Sequence, residues 1–194
     1  MKRYSVLWLK ISLATLILLG SAPMSSDAAA RNIDTRKEDY WKSDLEYYEP
    51  SGSYFQLVRD NTKRLSGVFW QEAAADAAKM TYKGRRGRLA IVDNGALYGW
   101  ILEKFELLSR SPERTWIGLR YMCGSRALMW VNGKEYPRSA FSFWDYPWYR
   151  DDGIRCGTKN IPWMGVYIAG ETSHWRAVGY RKYYARYLVE YPAE

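Results

Sequence analysis

Histidine occurs once in this chain of 194 residues, as His174, and cysteine only twice, as Cys123 and Cys156. That scarcity excludes a zinc site, which needs four closely spaced Cys and His ligands. It also excludes a small scaffold held by several disulfides. No segment offers the roughly 20 consecutive apolar residues of a membrane-spanning helix. The longest candidate, Ile11 to Leu19, is bounded by Lys10 and Gly20. Internal repeats and low-complexity tracts are missing too. Routes to catalysis are correspondingly few, since a reaction needs a nucleophile beside a base, a metal, or a spaced carboxylate pair. His174 stands in the polar turn Thr172-Ser173-His174-Trp175, and the neighbours Asp151 and Asp152 read as a solvated loop pair. The expectation is a binding module, not an enzyme, with no cofactor and no metal.

Aromatic side chains are plentiful: 10 Trp, 17 Tyr and 5 Phe. With 47% hydrophobic residues the chain can build a core, which excludes a disordered protein. Some rings are expected at a surface, where Trp and Tyr act as binding platforms.

The first 30 residues read as a signal peptide. Lys2, Arg3 and Lys10 give a basic start, a short apolar stretch follows, and Ala28-Ala29-Ala30 suits a signal peptidase. No cysteine near that point would carry a lipid anchor. The expected product is exported, periplasmic or secreted, with no membrane span after cleavage. Cleavage removes three positive charges and one negative from a formal +8, leaving +6. A basic surface favours acidic partners such as anionic polysaccharide, and export argues against nucleic acid. In an oxidising compartment Cys123 and Cys156 either pair or remain as two thiols.

Residues 31–52 carry many charges of both signs and end in the turn Pro50-Ser51-Gly52, so they read as a loosely attached arm. The domain is expected over residues 53–192. Tyr54 to Val58 has strand character. Trp70, Ala73, Ala74, Ala77 and Met80 recur at helical spacing. A basic turn spans residues 83–88, and Leu89 to Val92 is a short buried segment. Asp93 or Asn94 can cap a second helix, with Leu97, Trp100, Ile101, Phe105 and Leu108 on one face and Pro112 beyond. Thr115 to Leu119, Leu128 to Val131, Met164 to Ile168 and Tyr187 to Tyr191 are further strands, and Asn132-Gly133 is a turn. Between them, Pro137 to Asn160 forms one long, aromatic, charged loop. Loops of that length inside a domain are usually functional. Strand, two helices, then several strands argue an α+β fold.

In chain order stand Phe69-Trp70-Gln71-Glu72-Ala73, Gly87-Arg88-Leu89-Ala90, Trp116-Ile117-Gly118-Leu119, Trp130-Val131-Asn132-Gly133, and Trp175 followed by Tyr187-Leu188-Val189-Glu190-Tyr191. Together they resemble the C-type lectin-like domain over residues 53–192. The resemblance implies two helices flanking small antiparallel sheets, with the Trp-Ile-Gly-Leu strand in the core. It also implies binding on the long loop. Two family features are replaced. Ala77 and Val189 stand where a disulfide usually ties the first helix to the last strand, and Tyr180 stands at a second cysteine position. Cys123 and Cys156 would then form a bridge pinning the long loop to the turn after Leu119. The calcium motifs of the family, Glu-Pro-Asn or Gln-Pro-Asp and Trp-Asn-Asp, are absent, and the counterpart of the last is Trp175-Arg176-Ala177. Asp145, Asp151, Asp152 and Glu171 are scattered carboxylates, short of the six to eight oxygens that Ca²⁺ takes.

The resemblance implies a calcium-independent module for carbohydrate. The alternative is a protein-interaction or adhesion module on an extracytoplasmic partner. The ligand-binding residues expected are Trp148 and Tyr149 as stacking rings, Arg150 and Arg155 for an acidic group, and Asp151 and Asp152 as acceptors. At least half of the loop's aromatic rings are expected to do no more than hold the loop together.

Overall fold

The computed structural model describes residues 40–61, 67–108, 112–137, 140–145, 156 and 161–193, all within one compact unit. The first half of the domain contains β1 (Tyr40–Lys42), β2 (Glu46–Tyr48), β3 (Ser53–Asp60), β4 (Val68–Phe69), α1 (Trp70–Lys79), β5 (Thr81–Tyr82), β6 (Arg85–Arg86), β7 (Arg88–Leu89) and α2 (Gly95–Lys104). The second half contains β8 (Arg114–Met122), β9 (Ala127–Trp130), β10 (Trp163–Ala169), β11 (Trp175–Gly179), β12 (Tyr183–Tyr184) and β13 (Arg186–Tyr191). The elements are mixed α+β, as the hydrophobic pattern predicts. Among the described residues no helix is long and apolar enough to cross a membrane.

One sheet runs in the order β1-β3-β13-β8-β10-β11, with β2 also on β3, β7 on β13 and β9 on β8. Its pairs are antiparallel except β13 with β8. The first long strand, β3, therefore lies beside the last, β13, and closes the domain on itself. Apolar residues on the two sides of the sheet form two buried clusters. One gathers Leu97, Tyr98, Ile101 and Leu102 of α2 with Ile117, Leu119 and Trp175. The other gathers Trp70, Ala73 and Ala77 of α1 with Trp116, Tyr187 and Val189. Burying a large side chain such as Trp116 contributes about 2–3 kcal/mol.

The short motifs meet in space for steric and hydrogen-bonding reasons. Gly118 Cα lies against the chain after β7: an added Cβ would stand 2.7 Å from the Leu89 carbonyl oxygen and 2.9 Å from that of Ala90. The Gly118 N–H donates to Ala90 O at 2.8 Å, and Val131 N–H donates to Gly118 O at 2.7 Å. The Trp-Ile-Gly-Leu segment thus joins the motifs at residues 87–90 and 130–133 through a residue with no side chain. Two indoles tie α1 and β4 to β8, Trp70 Nε1 donating to Ile117 O (2.7 Å) and Trp116 Nε1 to Val68 O (2.9 Å). Ala77 and Val189, at the positions of the replaced disulfide, are both fully buried in one cluster. Gly87 lies against both, its absent Cβ 2.5 Å from Ala77 O and 3.1 Å from Val189 Cγ1. Apolar packing occupies the place of the staple.

Three local readings are corrected. Residues 40–48, expected in a loose arm, form β1 and β2 on the edge of the sheet. Ser43 stitches the gap between them: its N–H donates to Leu57 O (2.9 Å), and its hydroxyl accepts from Leu57 N–H (3.0 Å). Charged side chains on an edge strand can face water while the backbone pairs. Asn94 caps α2, its Oδ1 accepting from Leu97 N–H at 2.8 Å, but the helix ends at Lys104 and Glu106 turns to a φ of 52°. Leu108, expected on the buried face, is consequently 62% exposed. The polar turn read at residues 172–175 runs into a strand that the hydrophobic pattern did not mark, the edge strand β11 from Trp175 to Gly179.

Candidate functional site

Trp148, Tyr149, Arg150, Asp151, Asp152 and Arg155 lie outside the described residues. Both ends of the loop that carries them are described. Cys123 and Cys156 are bonded, with Cα atoms 5.5 Å apart. Cys123 follows β8 and its N–H donates to Pro162 O at 3.0 Å. The bridge therefore holds Cys156 to the end of β8, next to where the chain re-enters β10.

At the other end the loop leaves as an extra strand segment alongside β11. Trp175 N–H donates to Phe143 O (2.7 Å), and Asp145 N–H donates to Trp175 O (3.2 Å). Trp175 is fully buried and acts as a hub. The rings of Tyr98, Trp130, Tyr136, Phe141 and Trp144 surround it at centroid distances of 5.6–6.4 Å, mostly edge to face. Edge-to-face pairs of this kind each add roughly 0.5–1.5 kcal/mol beyond burial. Two hydroxyls lock the arrangement: Tyr98 donates to Ser173 O and Tyr136 to Phe141 O. Burial pushes the Tyr98 phenol up, so it stays a neutral donor. Phe141 and Trp144 thus anchor the loop.

Phe143 behaves differently. It is 39% exposed and stacks on the His174 imidazole at 4.6 Å with planes 11° apart. Beside it, Asp145 Oδ2 takes Nε and Nη2 of Arg176, while Oδ1 faces His174 Nδ1 at 3.8 Å. Burial works against the Arg176 charge, but the hydrogen bond and field of Asp145 outweigh it and raise its pKa. The described rim is therefore a flat apolar platform, Phe143 on His174, next to a paired carboxylate and guanidinium. Its three polar residues were visible in the sequence only as isolated side chains. No local signal joins Asp145 to a partner 31 positions away.

Calcium can be tested against these residues. The carboxylate at the loop entrance is held by a guanidinium, and Arg176 brings a positive charge where the family motif brings oxygen ligands. Among the described residues, no three His, Cys, Asp or Glu side chains gather into a metal site.

No family model matches the sequence, and no curated protein matches it. Solved structures do match in three dimensions. The C-type lectin CEL-I from Cucumaria echinata aligns with a TM-score of 0.54 at 14% identity, over 76% of this chain and 94% of that one. The carbohydrate-recognition domain of the mouse scavenger receptor C-type lectin gives 0.54 at 12% identity, over 77% and 96%. Human lithostathine gives 0.53 at 16% identity, over 77% and 88%. The order of strands, the two flanking helices and this likeness agree: the chain has the C-type-lectin-like fold.

Proposed function

We propose that this chain is an exported, calcium-independent binding module for carbohydrate, not an enzyme, and that the ligand sits on the rim of the long loop. The observation that carries the proposal is the Phe143–His174 platform beside the Asp145–Arg176 pair. A flat apolar face takes the C–H side of a sugar ring, and a fixed carboxylate and guanidinium take its hydroxyls. The names of the similar structures, a C-type lectin and a carbohydrate-recognition domain, support the same ligand class. Trp148 and Tyr149 would extend the platform. Arg150 and Arg155 would hold an acidic group, Asp151 and Asp152 would accept from hydroxyls, and the net positive charge favours such a ligand. The disulfide supports an oxidising compartment.

The test is a glycan array probed with residues 31–194, in calcium and in a chelator, beside Trp148→Ala and Arg150→Ala. Retention of an acidic glycan in both conditions, weakened by either substitution, is the expected result. Silence on the array together with capture of one extracytoplasmic protein would replace this reading by the protein-interaction alternative.

A further inference from the structure

A second concave surface lies at the β1 edge of the sheet, and none of its lining residues belongs to the long loop. It consists of two adjoining clefts of about 530 and 310 Å³ that share Trp41, Leu57, Phe105 and Glu106. Ligand pockets span roughly 300–1,000 Å³. Leu57 and Phe105 are buried and make an apolar floor, while Trp41 is 50% exposed and makes a wall. Strand register sets the first cleft. Trp41 is opposite Arg59, Arg59 opposite Arg186, and Arg186 opposite Thr115, so an indole and two guanidiniums stand in one row across β1, β3 and β13.

The charges in this row are fixed. Glu113 holds Arg59 Nη2 at 2.8 Å on one oxygen and Arg186 Nη1 at 2.9 Å on the other. Arg186 is nearly buried, and its Nε–H has no hydrogen-bond partner among the described residues. Burial lowers its pKa, with Glu113 opposing that effect, so Glu113 keeps the guanidinium in place. In the second cleft Lys104 lies 4.0 Å from Glu46, with Asp44 beside them. Across both clefts Arg59, Arg186 and Lys104 face Asp44, Glu46, Glu106 and Glu113, a formal charge of −1 on a chain whose total is +8.

We propose that this cleft binds a neutral oligosaccharide, with one pyranose ring flat on Trp41. Three features select that chemistry. An exposed indole beside an apolar floor matches the C–H face of a sugar ring. Donors and acceptors already paired with one another, Arg59 and Arg186 on Glu113 and Lys104 on Glu46, are preorganised for hydroxyls. The charges are paired with one another and sum to −1, so the cleft gives no attraction to an anion. The two clefts that share Trp41 together offer more room than a single sugar ring needs, which suits a short chain of sugars. This site and the loop site then differ in ligand charge, and together they make the module bivalent.

The full chain labelled with 5-fluorotryptophan tests this, with the Trp41 fluorine resonance assigned from Trp41→Phe. Neutral hexasaccharides of glucose, N-acetylglucosamine, galactose, mannose and xylose are titrated in turn. At least one is expected to shift the Trp41 resonance saturably. Arg186→Lys and Glu113→Gln, checked to be folded by their unchanged remaining fluorine spectra, should weaken that binding about tenfold, as loss of one well-placed contact does. Trp148→Ala should leave the Trp41 response intact even if it abolishes binding at the loop. No saturable shift with any of the five sugars overturns the proposal, and so does a Trp41 response that disappears in Trp148→Ala.

Discussion

Asp145, at the entrance of the long loop, and Arg176, on the edge strand β11, form an ion pair in which both Nε and Nη2 of the guanidinium reach Oδ2. The pair closes the seam between loop and sheet through side chains, where Phe143 and Trp175 close it through the backbone. It also occupies the carboxylate nearest to the family's metal motif. A native-state ligand raises the melting temperature by linkage. Millimolar Ca²⁺ is therefore expected to leave the melting temperature where a chelator puts it. A clear calcium-dependent rise that the chelator reverses would sink this prediction.

Glu190 is a buried carboxylate on β13. Oε1 accepts from Arg88 Nη2 (2.9 Å) and Ser53 Oγ (3.4 Å), and Oε2 accepts from Arg88 Nε (3.1 Å) and Ile91 N–H (3.0 Å). Glu190 is buried and Arg88 half-buried, at 7% and 30% side-chain exposure, so removing Arg88 strands a buried carboxylate, whereas removing Glu190 leaves a guanidinium that water can reach. Arg88→Ala should lower urea stability by about 3 kcal/mol, and Glu190→Ala, which leaves Ile91 N–H without its acceptor, by about 2 kcal/mol. The double variant should lose much less than the sum. Additive losses would show that the two side chains act independently.

The parts of the fold legible in the sequence are those where one residue has few alternatives. Gly118 and Gly87 stand where no Cβ fits, and Trp70 and Trp116 are large rings that each need a carbonyl. Such positions mark themselves locally. β1 and β2 do not, because charges beside Trp41 and Tyr47 mask edge strands whose stability comes from backbone pairing with β3. β11 was hidden for the same reason, since Arg176 interrupts its apolar pattern only because Asp145 is there to pair with it. The candidate site was legible as a loop rich in rings, and Phe141 and Trp144 do hold that loop to Trp175. The Phe143–His174 stack joins residues 31 apart and leaves no mark in either segment.

Tyr98 is 2% exposed and Tyr187 is fully buried. Burial pushes both phenols above their ordinary value of about 10, for Tyr187 with added repulsion from the charges of Asp76 and Asp60. Both protons are kept in the folded state and released in the unfolded one. The stability they represent is complete below pH about 10 and is lost as pH rises from there towards the folded values. Two such groups give a slope of roughly −3 kcal/mol per pH unit in that window. Absorbance at the phenolate band, followed with circular dichroism from neutral to strongly alkaline pH, checks this. Both tyrosines ionising while the native signal persists would contradict it.

The bridge between Cys123 and Cys156 closes a loop of 33 residues. Chain entropy alone assigns such a loop about 3–4 kcal/mol. Replacing both cysteines by serine should lower the melting temperature by roughly 10 °C in a domain of this size. The α1 and β8 contacts do not depend on the bridge, so the variant is expected to fold. An unchanged melting temperature would mean that Trp144 and Phe141 alone hold the loop.

Neighbours in sequence, Phe143 and Trp144 are expected to separate binding from stability. Trp144 packs edge-on against the buried Trp175 at 5.6 Å, so truncation opens a cavity beside the hub. Phe→Ala and Trp→Ala changes in cores cost about 3–5 kcal/mol, and Trp144, being only partly buried, should lose about 2–3 kcal/mol. Phe143 stacks on His174 and also touches Tyr98 (5.2 Å) and Phe141 (6.5 Å), but at 39% exposed it gives up less packing than Trp144. Phe143→Ala should cost only about 1 kcal/mol. It should nevertheless weaken a loop-bound glycan about tenfold, because it removes one stacking face. Thermal melts and titration with the glycan selected on the array measure both quantities. If Phe143→Ala destabilises the domain and Trp144→Ala does not, the assignment of anchor and platform is reversed. If Phe143→Ala binds as tightly as the parent, the platform lies elsewhere on the rim.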